Sequence, residues 1–475
     1  MNIIDESFFK NRQKKRNYLH FDEKRSPAYL YDYITHPSNI TRHSFYPFIS
    51  YNLIDKKIEK NYLHPKLVYK PVINSPRFIS HSLYPFISYK KARKYAITTS
   101  KVRFISYASH FDSDIYAYYA RLLEKPYEDY LAQNGLEDCA LAYRKIERVQ
   151  NNKVVSKCNI HFSRDVFSII SQRRNCVVLC YDVSKFFDSL NHEILKRNWC
   201  LLLNCHRLPD DHYKVYKSLT KFAYVDKKLL YKELGLSLNS RTLHKRHRVL
   251  CKPDDFRNRI RGKGLVNTNT SLEGIPQGSP LSGLLSNVYM MQFDISMNGY
   301  LKNIDGTYFR YSDDMIFIVN NKYESQLVRF IDKELEKLKL HINKTKTQRI
   351  VFKDGVVNFD TGNVSFNNPH KLQYLGLLYD GKQVFLRDTG LSKYNRKMRK
   401  AIRMRSAHFR RLKADNNLNG STIYKRTLHS RFTYIGKRNY ISYVFRVSEV
   451  HNSKNVKRQV KGHYKLFEEY LNARI

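Results

Sequence analysis

Residues Phe309-Arg-Tyr-Ser-Asp-Asp-Met-Ile-Phe-Ile-Val319 set two adjacent carboxylates between two apolar stretches. The pattern predicts two short strands joined by a tight turn at Ser312-Asp313. Such a turn holds Asp313 and Asp314 at an exposed tip, where their like charges repel. A divalent cation relieves that repulsion, since hard cations take carboxylate oxygens. Upstream, the run Cys176-Val-Val-Leu-Cys-Tyr181 predicts a buried strand that ends in Asp182. An Asp closing a rigid strand points towards a cleft, although alone it reads equally well as a helix cap. If the two segments lie side by side, Asp182, Asp313 and Asp314 converge. Two Mg2+ ions about 4 Å apart would then suit an in-line phosphoryl displacement.

A third segment, Glu273-Gly-Ile-Pro-Gln-Gly-Ser-Pro-Leu-Ser-Gly-Leu-Leu-Ser-Asn-Val-Tyr289, brackets Pro276-Gln277 with Gly274 and Gly278. Those glycines let backbone approach a ligand closely, and the spacing predicts a helix starting near Ser279-Pro280. Helical periodicity is also expected from Asp112 to Leu131 and over 324–340, where Leu327, Phe330, Ile331, Leu335 and Leu338 share a face. A hairpin-like stretch should carry Tyr143 through Lys157 to Arg164. Asp-Gly turns at Asp354-Gly355 and Asp380-Gly381 predict further hairpins.

The chain's 475 residues amount to about three domains' worth of material. With 42% hydrophobic residues it has ample core, which excludes a disordered tail or a disulfide-stapled mini-protein. Lys and Arg total 85 against 42 Asp and Glu, a formal charge of +43. A polyanion is the economical neutraliser, and nucleic acid fits because phosphate contacts release counterions. The 37 Tyr and 27 Phe suit bases as well as phosphates. Residues 391–475 are the most one-sided, with 22 Lys and Arg against 4 Asp and Glu. There Lys393-Tyr-Asn-Arg-Lys-Met-Arg-Lys-Ala-Ile-Arg-Met-Arg405 reads as a cationic helix that tracks phosphates.

The seven Cys form no CxxC, so reduced thiols are expected rather than a zinc ribbon. Neither a signal-peptide core nor an apolar run of about 18 residues occurs, and a soluble cytoplasmic chain without membrane contact is expected. Near the N-terminus, His43-Ser-Phe-Tyr-Pro-Phe-Ile-Ser-Tyr51 recurs as His81-Ser-Leu-Tyr-Pro-Phe-Ile-Ser-Tyr89, identical at eight of nine positions. Arg77-Phe-Ile-Ser80 and Arg103-Phe-Ile-Ser106 echo it. The copies read as aromatics packed on the main body or as a paired RNA-holding surface.

With the three motifs in this order, the chain resembles the reverse transcriptase family. Tyr181-Asp-Val-Ser-Lys-Phe-Phe187, Gly274-Ile-Pro-Gln-Gly278 and Tyr311-Ser-Asp-Asp314 look like the family's palm motifs. Leu340-His-Ile-Asn-Lys-Thr-Lys346-Thr resembles the Lys-bearing motif that follows, and Leu372-Gln-Tyr-Leu-Gly-Leu377 the primer-gripping hairpin. The resemblance implies an α+β, right-hand polymerase fold: an N-terminal extension over 1–125, fingers and palm over 126–385, and a basic helical thumb over 386–475. It implies an RNA-directed DNA polymerase using two Mg2+ ions, held by Asp182, Asp313, Asp314 and the Val183 carbonyl. Phe187 would gate the sugar, Gln277 would contact the incoming nucleotide and Tyr311 would pack under the primer end. Lys344 or Lys346 would protonate pyrophosphate, while Arg144 and Lys157 would meet the triphosphate. Leu375 and Gly376 would shape the primer grip.

Within the family, Phe186-Phe-Asp-Ser-Leu-Asn-His192 and the Pro-Gln-Gly motif with Asn287 look prokaryotic. Arg103 through Asp112 and Ala142-Tyr-Arg144 most resemble the defence-associated group, whereas the long insert between Asp182 and Gln277 departs from compact retron enzymes. Expected partners are therefore a noncoding RNA template, the DNA product, dNTPs and a homo-oligomeric copy, in antiphage defence. Repetitive or untemplated synthesis is a close variant. A non-catalytic RNA-binding scaffold or intron maturase-like protein is the alternative, and an RNA-dependent RNA polymerase a third reading.

Overall fold

The computed structural model describes residues 4–13, 16–58, 98–150, 152–238, 240, 243, 247–358, 371–414 and 425–474. In chain order the strands are β1 (Phe48–Ile58), β2 (Thr98–Tyr107), β3 (Glu147–Gln150), β4 (Lys153–Ser156), β5 (Cys176–Asp182), β6 (Ala223–Asp226) and β7 (Asn267–Thr268). There follow β8 (Thr307–Tyr311), β9 (Asp314–Val319), β10 (Gln348–Lys353), β11 (Val356–Asn358), β12 (Leu372–Tyr374), β13 (Leu377–Tyr379) and β14 (Val384–Leu386). The chain folds as two compact units, each assembled from separated stretches. One joins Met1–Leu122 to Arg207–Ser282, and the other joins Leu123–His206 to Gly283–Ile475. The helix His110–Gln133 runs through both the 122/123 division and position 125/126.

In the first unit, β1 and β2 pair antiparallel from Ile49↔Tyr107 to Ile58↔Thr98, and β6 joins β1 in parallel. Asp226 then turns the chain into the helix Lys227–Glu233, its carboxylate accepting from Lys228 and Leu229 N–H at 2.8 and 2.9 Å. Ile49, Val225, Leu230, Phe256 and Ile260 form the core with Leu19 and Phe21. A polar layer fixes the start of the helix at His110. Asp22 accepts from the His110 and Phe111 N–H groups, and Arg16 pairs with Asp114 at 2.5 Å. His43 of the first repeat copy reaches Asp112 at 2.9 Å, and Phe48, Ile49 and Ser50 are buried. That copy therefore packs as core. The second copy and Arg77–Ser80 lie outside the described residues.

The second unit is built on a five-stranded antiparallel sheet of order β11-β10-β5-β9-β8. Its central strand β5 is buried from Cys176 to Tyr181, as a continuous apolar run should be when both faces are covered. On one face Val178, Cys180, Ile316, Ile318 and Phe352 meet the helix Asn159–Arg173 through Val166, Phe167 and Ile170. The other face takes the helix Met291–Asn303, Phe293 lying edge-on to Tyr308. The expected amphipathic helix is present over Glu324–Lys337 with Leu327, Ile331 and Leu335 buried, and β3–β4 form the expected hairpin. Asp354 and Gly355, both at positive φ, turn β10 into β11. In the cationic helix Asp388–Ala414, Tyr394, Met398, Ile402 and Ser406 make one buried stripe at four-residue spacing. Lys393, Arg396, Lys397, Arg399, Lys400 and Arg403 stay exposed around it.

Two local expectations are corrected. Asp182 ends a strand and caps nothing, the next α-helix, His192–Leu202, being capped by Asn191. The helix after the Pro-Gln-Gly motif starts at Ser282, because Ser279-Pro280 is spent on a turn in which Ser282 Oγ donates to the Pro276 carbonyl at 2.7 Å. All seven cysteines are free thiols. Among the described residues no helix is long and apolar enough to cross a membrane.

Candidate active site

Strands β8 and β9 are joined by Ser312 and Asp313, Ser312 taking a left-handed φ of 62°. Register then decides the geometry. Asp314 lies directly opposite Asp182 across the β5–β9 ladder. Directly opposed residues share a sheet face with Cβ atoms about 4.5–5.5 Å apart. Asp313 sits one residue back in the turn, and its carbonyl accepts the Val183 N–H at 3.3 Å. The loop after helix 324–337 lies along the end of β5: Ser184 N–H donates to the His341 carbonyl, and Asn343 N–H to the Asp182 carbonyl at 2.7 Å. This ladder delivers Lys346, whose Nζ pairs with the Asp182 carboxylate. Lys344 is exposed, and its charge acts on Asp332, whose carboxyl burial pushes up. Of the two lysines expected at the site, Lys346 is therefore the one in contact with it.

A buried brace beneath the turn escaped the sequence reading. Arg310 and Asp294 are both fully buried and form a two-pronged ion pair, Nε–Oδ1 2.9 Å and Nη2–Oδ2 2.5 Å. Arg310 Nη1 donates to Asn287 Oδ1 at 2.9 Å and to the Ser312 carbonyl at 3.4 Å. Tyr308 adds its hydroxyl to Asp294 at 2.9 Å. Asp294 thereby holds the guanidinium well above its usual range despite the burial. The turn is also met by Tyr143, whose hydroxyl lies 3.3 Å from Ser312 Oγ. Gly283 makes room for that ring, since a Cβ there would lie 2.7 Å from it. The available signal was Arg310 itself, a cation inside an apolar strand that burial obliges to find a carboxylate.

The other expected residues are distributed as follows. Phe186 is core, while Phe187 is half-buried beside it, ring centroids 5.7 Å apart. Tyr311 is half-buried against Phe162. Leu375 and Gly376, with φ of 45° and 89°, form the two-residue turn between β12 and β13, and Asn159 Nδ2 donates to the Leu375 carbonyl at 3.3 Å. Lys157 stands at the base of the β3–β4 hairpin, paired with Asp165 at 3.0 Å. The Arg144 guanidinium is tied to Glu128 at 2.8 and 2.6 Å and to the Glu137 and Ala140 carbonyls at 2.6 Å. Those bonds take most of its five donors and brace the 137–144 segment. Gln277 belongs to the first unit. There its carbonyl accepts Ser106 N–H at 2.9 Å, and Gly278, at φ 128°, has no space for a Cβ because the Ser106 carbonyl fills it.

The expected convergence of three carboxylates is only partly met. Among the described residues no three His, Cys, Asp or Glu side chains close into a metal cage. What the register provides is Asp182 and Asp314 face to face, with Asp313 next in sequence. The donors are all hard oxygens, and Asp182 already draws a cation, Lys346. Donor chemistry and opposed like charges both fit a divalent ion such as Mg2+.

A sequence profile of the family described as reverse transcriptase (RNA-dependent DNA polymerase) matches residues 90–379, more than half of the chain. No curated protein matches the chain significantly in sequence. Among solved structures, apo telomerase from Candida tropicalis truncated from its C-terminal domain aligns with TM-score 0.39 and 13% identity, over 61% of this chain and 54% of that one. Apo telomerase from Candida tropicalis aligns with TM-score 0.35 and 16% identity, over 60% and 46%. Telomerase from Candida albicans in complex with a TWJ fragment of telomeric RNA aligns with TM-score 0.37 and 12% identity, over 78% and 55%. The chain thus spans about half the length of these structures.

Proposed function

The chain belongs to the reverse transcriptase family, and on that premise we propose that it is an RNA-directed DNA polymerase, a nucleotidyltransferase that copies an associated noncoding RNA. Its α+β architecture is the right-hand polymerase fold of that family. In this reading residues 126–385 supply fingers and palm, 386–475 the basic thumb and 1–125 an N-terminal extension, which is tied by packing to the 207–282 insert. The observation that carries the reading is the register placing Asp182 opposite Asp314 beside the Ser312-Asp313 turn.

Asp182, Asp313 and Asp314, with the Val183 carbonyl, would hold two Mg2+ ions. Such ions activate the primer 3′-hydroxyl and offset developing charge when bound. The protein's share is mostly positioning, because phosphoryl transfer needs no covalent nucleophile. Arg310 and Asp294 keep the carboxylate turn in place. Lys346, paired with Asp182, is assigned the proton for leaving pyrophosphate. Phe187 sets a flat ring where a 2′-hydroxyl would clash, Tyr311 supports the primer end and the Leu375-Gly376 turn grips the primer. Gln277 and Lys157 are assigned to the incoming nucleotide. The family resemblance of residues 103–144 supports a role in antiphage defence, with the RNA, the cDNA and further copies of the chain as partners in the cytoplasm.

The test is incorporation of labelled dNTPs with Mg2+ by protein purified with its own RNA, beside an Asp313→Ala/Asp314→Ala variant. RNase-resistant DNA that vanishes in the variant is expected, and sequencing separates a copied RNA from a homopolymer. Incorporation of ribonucleotides instead would overturn the role of Phe187. Absence of any product with RNA bound would favour an RNA-binding scaffold.

A further inference from the structure

Between the helices Lys425–Phe432 and Tyr440–Val450 the chain makes a short loop, Thr433-Tyr-Ile-Gly-Lys-Arg-Asn439. Its tip holds two large side chains in water, Tyr434 being 57% and Ile435 56% exposed. The loop is rigid. Asn439 Nδ2 donates to the Ser430 and Thr433 carbonyls at 2.9 and 2.7 Å, and Ile435 N–H donates to Thr433 Oγ1 at 3.3 Å. Gly436 is buried hard against the Ser430 carbonyl, where no side chain fits. The exposed pair is therefore carried on bonded backbone.

The surroundings suit a flat, anionic ligand. The Tyr434 ring meets Tyr464 at 5.4 Å between centroids and lies edge-on to His463 at 6.1 Å, extending one aromatic surface. His463 Nε2 is buried with no hydrogen-bond partner among the described residues. Lys437 and Arg438 follow in the loop, both exposed, and Lys461 and Lys465 are exposed on the chain leading to His463 and Tyr464. The neighbouring carboxylates are engaged, Glu468 with His429 at 3.3 Å and Glu469 with Lys465 at 3.9 Å. A second copy of this chain is a poor occupant, because it brings the same +43 charge and the same cationic loop.

We propose that this loop is a stacking platform for an unpaired base of a single-stranded nucleic acid. Tyr434 offers the aromatic face, Ile435 the apolar edge, and Lys437 and Arg438 meet the flanking phosphates. The proposal rests on the polymerase reading only in taking a nucleic-acid strand to be at hand. Stacking on one aromatic carries sequence-tolerant affinity and leaves the salt dependence to the cations.

The two contributions separate experimentally in the full chain, with fluorescent single-stranded RNA, single-stranded DNA and a blunt duplex titrated without dNTPs at several salt concentrations. Tyr434→Ala should weaken single-strand binding about five- to a hundred-fold with an unchanged slope of log affinity against log salt. Tyr434→Phe should bind like the parent. Lys437→Ala/Arg438→Ala should flatten the slope by up to about 1.4. The duplex should be nearly indifferent to Tyr434→Ala. Unchanged single-strand affinity in Tyr434→Ala, or parental affinity in Tyr434→Leu, would overturn the proposal. Self-association that Tyr434→Ala abolishes, read by sedimentation, would also overturn it in favour of a second copy. The Asp313→Ala/Asp314→Ala variant should keep the Tyr434 effect while losing incorporation, so failure of stacking and failure of the polymerase reading are told apart.

Discussion

Removing the Asp294 carboxylate should destabilise the second unit more than any surface change. Asp294→Ala leaves the Arg310 guanidinium in a site with no exposed surface, its remaining hydrogen bonds going to the neutral Asn287 and Ser312 oxygens. Stranding one member of a buried ion pair costs about 3–5 kcal/mol. At roughly 2–4 °C per kcal/mol for a unit of this size, the melting midpoint should fall by about 6–20 °C. The chain's one tryptophan, Trp199, is fully buried in the same unit and makes its fluorescence the natural reporter. A paired variant, Arg310→Met with Asp294→Leu, removes both charges and should recover most of that stability. It should not recover polymerisation, because the hold on the Ser312 carbonyl is gone. An Asp294→Ala melt within about 2 °C of the parent, or a double variant as unstable as the single one, would refute the argument that the pair braces the turn.

Other expectations follow from the same geometry. Gly278→Ala forces a side chain against the Ser106 carbonyl at a φ of 128°, a strain of about 1–3 kcal/mol or more, and should raise the KM for dNTPs and speed proteolysis of the 274–282 loop. Lys346→Ala should lower kcat with little change in dNTP KM, read by single-turnover kinetics, while Lys344→Ala should leave both near parental values. Burial, followed by the charge of His110, pushes the fully buried His20 down to about 3, and burial pushes His110 down to about 4, against about 6.5 when unfolded. Both are neutral when folded, so their contribution is complete above about pH 6.5 and drains away as pH falls towards 3–4. Protection of peptides covering residues 16–58 against hydrogen exchange, taken relative to the intrinsic rate at each pH, should fall across that window, and His20→Phe should flatten the dependence.

Much of the second unit could be read from local pattern alone. The continuous apolar run of Cys176–Tyr181 read as a buried strand, and the 324–337 helix advertised its buried face every three to four residues. The Asp-Gly turns followed from residues that tolerate positive φ, and the Ser312-Asp313 turn from the apolar stretches on either side of it. What the sequence by itself determined was therefore the local carriers of the chemistry: which carboxylates stand at strand ends, and that the chain is a polycation of formal charge +43. Tertiary structure alone decided who meets whom. Register put Asp314 rather than a neighbour opposite Asp182, and the short ladder at Val183 chose Lys346 over Lys344. Arg144, to all local appearance a surface cation, was claimed by Glu128, and Arg310 found in Asp294 a partner sixteen residues away. Pairing depends on the direction and burial of groups distant in sequence, and neither is encoded in the spacing of any one segment.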